Sequence, residues 1–191
     1  MSTNHRTVNC TPEDVFAVIA NGWFFPNWVV GASRMRDVDT SWPHVGSRLH
    51  HSFGVWPVLI NDETTSLQWN PPHRAVMQAK GWPLGEARVT VEVQPHPKGC
   101  RVTIIERPVK GPTTLIPHTL LNPALFIRNI ETLRRLAFMA ENHAGGNLTA
   151  QLQPTGADQA LPDRPSNRGA LRIALIGVVV GIVVGAARRA A

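Results

Sequence analysis

The chain has 191 residues, 43% apolar and 17% charged, with 2 Cys, no Tyr and a formal net charge of +6. This supports one packed domain with a tail and excludes wholesale disorder, while the two cysteines, without any CxxC, exclude a disulfide scaffold and a thiolate zinc site. The excess charge divides evenly, +3 in the first 146 residues and +3 in the last 45, and without an aromatic-basic motif beside it the balance points away from nucleic acid.

HExxH, Walker, GxGxxG and GxSxG signatures are absent, so no metal or cofactor is expected. The opening MSTNHRTVNC lacks the basic start and apolar stretch of a secretory signal, and the domain is expected in the cytoplasm. Residues 3–10 read as a strand. Thr11 then caps a helix with Pro12 at its first position and Glu13 and Asp14 at its positive end. Val15, Phe16, Val18 and Ile19 form its buried side, and Asn21-Gly22 ends it. The stretch GWFFPNWVVGAS reads as a short second helix leading into a sheet.

From Arg34 to Pro108 the period changes to short runs, separated at Trp42-Pro43, Gly54, Asn70-Pro71-Pro72, residues 83–85 and residues 95–99. In residues 87–94, Ala87, Val89, Val91 and Val93 alternate with Arg88, Thr90, Glu92 and Gln94. HPKG turns this strand into the next, where Cys100, Val102 and Ile104 alternate with Arg101, Thr103 and Ile105. The preceding strand sets Ala75, Met77 and Ala79 against Arg74, Gln78 and Lys80. A one-sided antiparallel meander needs a cover. Asn122-Pro123 predicts the start of a long helix that runs to about His143, with Phe126, Ile130, Leu133, Ala137 and Ala140 on one stripe and Arg128, Arg134, Arg135 and Glu141 mostly off it. The fold class is therefore α+β, a curved antiparallel sheet gripping a long C-terminal helix.

The domain is expected over residues 1–146, a flexible linker over 147–168 and a C-terminal transmembrane segment with a short basic end over 169–191. Residues 170–187 are apolar apart from Arg172. They reach about 27 Å as a helix, near the bilayer core of about 30 Å. Gly177, Gly181 and Gly185 make a ridge suited to close helix packing, hence to a homo-oligomer. The competing reading is an apolar tail lying on the domain or at the membrane surface.

Alternation turns Leu49, His51, Phe53, Met77, Val91 and Ile104 inward, joined by Phe126, Ile130 and Leu133 from the helix. Two readings stand for this set, core filling and ligand lining. His51 is in phase with Leu49 and Phe53, and Glu106 with Val102 and Ile104, which makes the two a candidate acid-base pair. In the other reading Glu106 sits in solvent beside Arg107 or Lys110. His50 and His51, as strand neighbours, point to opposite faces and do not form a metal site. The six Trp (Trp23, Trp28, Trp42, Trp56, Trp69 and Trp82) read either as the packed rims of loops or as the lip of a cavity.

The order of these elements resembles the START-like helix-grip fold of the SRPBCC superfamily, nearest its polyketide cyclase/dehydrase branch. The carriers are VNCTPEDVF at 8–16, Trp28, VGSRL at 45–49, NPPHRAVMQA at 70–79, GCRVTIIE at 99–106 and LRRLAFMAE at 133–141. The resemblance implies a hydrophobic cavity between sheet and long helix for lipids, polyketides or other apolar molecules. It also implies that the strands of His51 and Glu106 face each other across it, and that Cys10 and Cys100 approach one another as reduced thiols. The pocket tyrosines of some relatives cannot be carried over to a chain without Tyr. The leading expectation is a membrane-anchored protein that binds an apolar small molecule. The alternatives are a cyclase/dehydrase-type enzyme and an interaction module presented at the membrane.

Overall fold

The computed structural model describes residues 1–55, 58–81, 85–115 and 118–146. Strand β1 (Ser2–Val8) leads to helix α1 (Pro12–Ala20), a 3-10 turn (Gly22–Phe24) and the four-residue α2 (Phe25–Trp28). Six strands follow: β2 (Ala32–Val38), β3 (Arg48–Val55), β4 (Val58–Asn70), β5 (Arg74–Gly81), β6 (Gly85–His96) and β7 (Gly99–Lys110). A second 3-10 turn (Pro112–Leu115) precedes α3 (His118–Ala144). The strands form one sheet in the order β1-β7-β6-β5-β4-β3-β2, antiparallel at every step. The meander is thus read correctly, and β1 joins its far edge beside β7.

Local chemistry explains the ends of α1. Thr11 accepts from the Asp14 backbone N–H, and the Asp14 carboxylate accepts in return from the Thr11 backbone N–H at 3.0 Å. This reciprocal cap satisfies two groups that a helix start otherwise leaves open. At the β6–β7 turn Gly99 has φ +108°, and a Cβ there would lie 2.4 Å from the Val8 carbonyl oxygen. Only glycine lets β7 turn that closely beside the end of β1.

The long helix departs from expectation at its start and along its stripe. It begins at His118, so Pro123 lies inside it and one backbone bond of the i to i−4 ladder is missing there. Its buried stripe is Asn129, Thr132, Leu133, Leu136, Ala137 and Ala140, spaced by three and four. Phe126 and Ile130, expected on that stripe, are 49% and 47% exposed. They stand on its edge, because placing them at its centre would have turned Asn129 and Thr132 outward. Gly54, expected as a break, lies within β3, since φ +107° there lets the strand continue through a residue without a Cβ.

The core is continuous. Val15, Phe16, Val18 and Ile19 of α1 join Leu133, Leu136 and Ala140 of α3 and the sheet residues Leu49, Val91 and Ile104. Among the described residues no helix is long and apolar enough to cross a membrane. The linker and the anchor expected over 147–191 lie outside those residues.

Candidate functional site

Cross-strand pairing arranges the face of the sheet beneath α3 in rows. Ser2, Glu106, Val89 and Met77 are successive partners across β1, β7, β6 and β5. Asn4, Ile104, Val91 and Ala75 form the next row. These rows set Met77, Val91 and Ile104 side by side, all buried. Leu49 and Leu133 belong to the same buried cluster, while Phe53 is half-buried. Of the predicted inward set, only Phe126 and Ile130 are substantially exposed.

Two polar groups interrupt this apolar floor. At the β1–β7 edge, Glu106 is buried and accepts through Oε2 from Arg128 and, at 3.1 Å, from Asn129 Nδ2, both on α3. Asn4 Nδ2 donates to the Phe126 carbonyl at 3.1 Å, and Ser2 Oγ donates to Asn4 Oδ1 at 3.0 Å. The alternative that put Glu106 in solvent beside Arg107 or Lys110 is therefore set aside, and Lys110 instead lies near Glu86. An internal carboxylate needs a compensating charge. The Arg128 guanidinium supplies it from a helix position that the hydrophobic stripe had assigned to the surface.

The second group is His51 on β3. It is buried, with Nε2 hydrogen-bonded to Thr64 Oγ1 at 2.9 Å, and its ring lies 5.0 Å from that of Phe25. Burial first, then electrostatic repulsion from Arg36 and His50, push the imidazole down to about 4, so it is neutral at neutral pH. His51 pairs across the strands with Asp62, which is also buried. The expected His51–Glu106 couple is not assembled by hydrogen bonding. Strands β4, β5 and β6 separate β3 from β7, and each of the two residues has other partners.

Three buried side-chain nitrogens have no partner among the described residues: Trp28 Nε1, His51 Nδ1 and Arg128 Nε. Trp28 is therefore no rim residue. It lies inside, edge-on to Phe25 at 5.5 Å. The rim reading holds better for Trp23 and Trp42, which line an outer cleft of about 600 Å³ with Ala20, Asn21 and Asp39. It holds as well for Trp69, which borders a second cleft of about 320 Å³ with Phe16, Pro71 and Pro72. Trp56 and Trp82 lie outside the described residues. Cys10 and Cys100 are free, buried and close to one another. Burial, then the neighbouring Cys100, push the Cys10 thiol up to about 12, which makes it a poor nucleophile. Among the described residues there is no cluster of His, Cys, Asp and Glu suited to a metal ion.

Sequence reasoning missed Arg128, Asn129, Phe25, Asp62 and Thr64. Asn129 had a legible signal, four residues before Leu133 on the same helical stripe. Arg128 had none, because its long stem lets it leave the surface that its position predicts.

A curved antiparallel sheet with a long C-terminal helix laid over one face defines an α+β helix-grip protein. The chain belongs to the family described as "Polyketide cyclase / dehydrase and lipid transport", whose profile matches residues 2–125, within the SRPBCC class. No curated protein sequence matches it. Among solved structures it is similar to protein CV1439 from Chromobacterium violaceum, at 18% identity and TM-score 0.55 over 73% of this chain and 96% of that one. Protein NE0264 from Nitrosomonas europaea matches at 15% identity and TM-score 0.58, over 75% and 95%. The di-domain ARO/CYC StfQ of the steffimycin biosynthetic pathway matches at 13% identity and TM-score 0.60, over 75% of this chain and 51% of that one. At these identities the likeness is one of fold.

Proposed function

We propose that the domain binds an apolar small molecule between the sheet and α3, and that residues 170–187 tether it to a membrane. The observation that carries the binding reading is the buried apolar set of Met77, Val91 and Ile104 in two adjoining rows of that sheet face, an apolar floor with few polar groups on it. Small-molecule sites are built this way, mostly apolar with a few placed donors and acceptors. Membership of a family described by lipid transport as well as cyclisation supports the same reading.

The enzyme alternative draws on the buried Glu106 and His51, and on the likeness to an ARO/CYC protein. Against it, Glu106 is held by Arg128 and Asn129, and among the described residues no nucleophile, base and orienter stand in hydrogen-bonding sequence around it. The full chain, purified in mild detergent, tests the binding reading by native mass spectrometry and solvent extraction. A bound apolar mass released on denaturation is expected. A protein that carries none and fails to take up a fluorescent fatty acid, naphthalene or 2-naphthol overturns it.

A further inference from the structure

Resting on the binding reading, we infer that the ligand is an uncharged molecule bearing a hydroxyl or carbonyl oxygen, received by Trp28 Nε1 and His51 Nδ1 beside Phe25. The two nitrogens belong to rings that are 2% and 3% exposed, and neither has a partner among the described residues. A buried polar group left unpaired is costly, and native proteins seldom leave one without a role. The two residues share a neighbour. Phe25 meets the Trp28 ring at 5.5 Å and 76°, and the His51 ring at 5.0 Å and 32°. Phe25 thus neighbours both of the rings that carry an open hydrogen-bonding nitrogen.

The chemistry of the two nitrogens selects the ligand. An indole N–H only donates. The Nε2 of His51 is engaged by Thr64, which leaves Nδ1 to complement a hydroxyl as donor or acceptor. The remaining open nitrogen, Arg128 Nε, belongs to a guanidinium already paired with Glu106. Spare capacity beside Phe25 is therefore uncharged. A carboxylate would leave water for a place whose nearest cation, Arg36, is engaged by the His51 and Asp62 carbonyls, and an ammonium would face the donating indole N–H of Trp28. Phe25 and Trp28 are both carried by α2, which is four residues long.

Full-length protein and Trp28→Phe are compared by fluorescence titration with naphthalene, 2-naphthol and 2-naphthoate in the same detergent, so that partition of the probe cancels. Naphthalene reports the apolar site, and its difference from 2-naphthol reports the hydrogen bonds. Trp28→Phe is expected to weaken 2-naphthol about five- to tenfold and naphthalene less than twofold, with 2-naphthoate the weakest ligand of wild type. Equal loss of naphthalene and 2-naphthol, no loss of 2-naphthol, or tightest binding of 2-naphthoate overturns the inference while leaving the binding reading intact. Binding of none of the three to wild type overturns the inference, and the binding reading falls with it if the fatty acid is refused as well. Should Trp28→Phe not fold, the indole N–H resonance of Trp28 in the wild-type protein carries the test. It is to shift with 2-naphthol and stay in place with naphthalene, and a resonance that moves equally with both, or with neither, overturns the inference.

Discussion

Arg128 on α3 and Glu106 on β7 form an ion pair beneath the helix, and Asn129 donates to the same carboxylate oxygen at 3.1 Å. The pair ties the helix to the edge of the sheet where β1 joins β7. Removing one partner leaves the other uncompensated, at about 3–5 kcal/mol for a fully buried pair. The Arg128 side chain is 31% exposed, so water screens part of that. Arg128→Met is expected to lower the stability of the protein by about 2–3 kcal/mol, measured by urea unfolding. Arg128→Met combined with Glu106→Gln should recover most of the loss, and a double variant as weak as the single one would show that the charge is not the cause.

His51 makes stability depend on pH. Its folded value of about 4 lies below the ordinary value of 6.5, so the unfolded chain takes up the proton more readily. Stability is thus fully present above about pH 6.5 and falls as the pH drops toward 4. A shift of this size corresponds to roughly 3 kcal/mol at most. The urea midpoint is expected to decline between pH 6.5 and 4, and His51→Gln should flatten that decline. An unchanged slope in the variant would assign the titration to other groups.

Much of this fold was legible because its signals are local. Thr11-Pro12-Glu13-Asp14 specifies a helix start within four residues, and residues 87–94 alternate without exception. The register of β1 against β7 joins Ser2 to Glu106 across a hundred residues, and only the folded sheet states it. The site was legible by half. Alternation found Met77, Val91, Ile104, His51 and the inward turn of Glu106, because period two needs no partner. It failed for α3, where Phe126 and Ile130 outrank Asn129 and Thr132 in hydrophobicity although the latter face inward. Those two polar residues are buried because Glu106 and the Val30 backbone N–H, which donates to Thr132 Oγ1 at 3.4 Å, require acceptors and donors from the helix. Such a requirement arises only after packing.

The reciprocal cap at α1 gives a simpler expectation. Thr11→Ala removes the hydroxyl that accepts from the Asp14 N–H at 3.2 Å. A loss of about 1 kcal/mol is expected, read from thermal or urea unfolding. Thr11→Ser, which keeps the hydroxyl, should restore it. Equal effects of the two substitutions would locate the contribution in the methyl group.

Cys10 and Cys100 should resist modification in the folded protein. Both are buried, and the Cys10 thiol is pushed up to about 12, first by burial. Only the thiolate attacks an alkylating reagent. Iodoacetamide at pH 8 is therefore expected to label neither residue in the native chain and both in urea. Rapid native labelling, followed by mass spectrometry, would show that the β1–β7 end opens to solvent.

The membrane tether is the part of the proposal that a single fractionation decides. Residues 170–187 carry one charge, Arg172, close to the end of the stretch, where a long side chain reaches the headgroups without cancelling insertion. A helix of this length spans about 27 Å, close to the bilayer core of about 30 Å. An interfacial helix would instead need a charged face along its whole length, and in the sequence Ile173, Val178 and Val183 would fall all around such a helix without one. On such a helix Gly177, Gly181 and Gly185 would line one ridge of the kind that suits close helix packing. Full-length protein is expected to stay with membranes through alkaline carbonate and to leave them in detergent, and a chain ending at residue 169 should be found in the soluble fraction. Within the membrane, Gly181→Leu should reduce self-association measured by crosslinking without releasing the protein. Recovery of the full chain in the carbonate supernatant would overturn the tether.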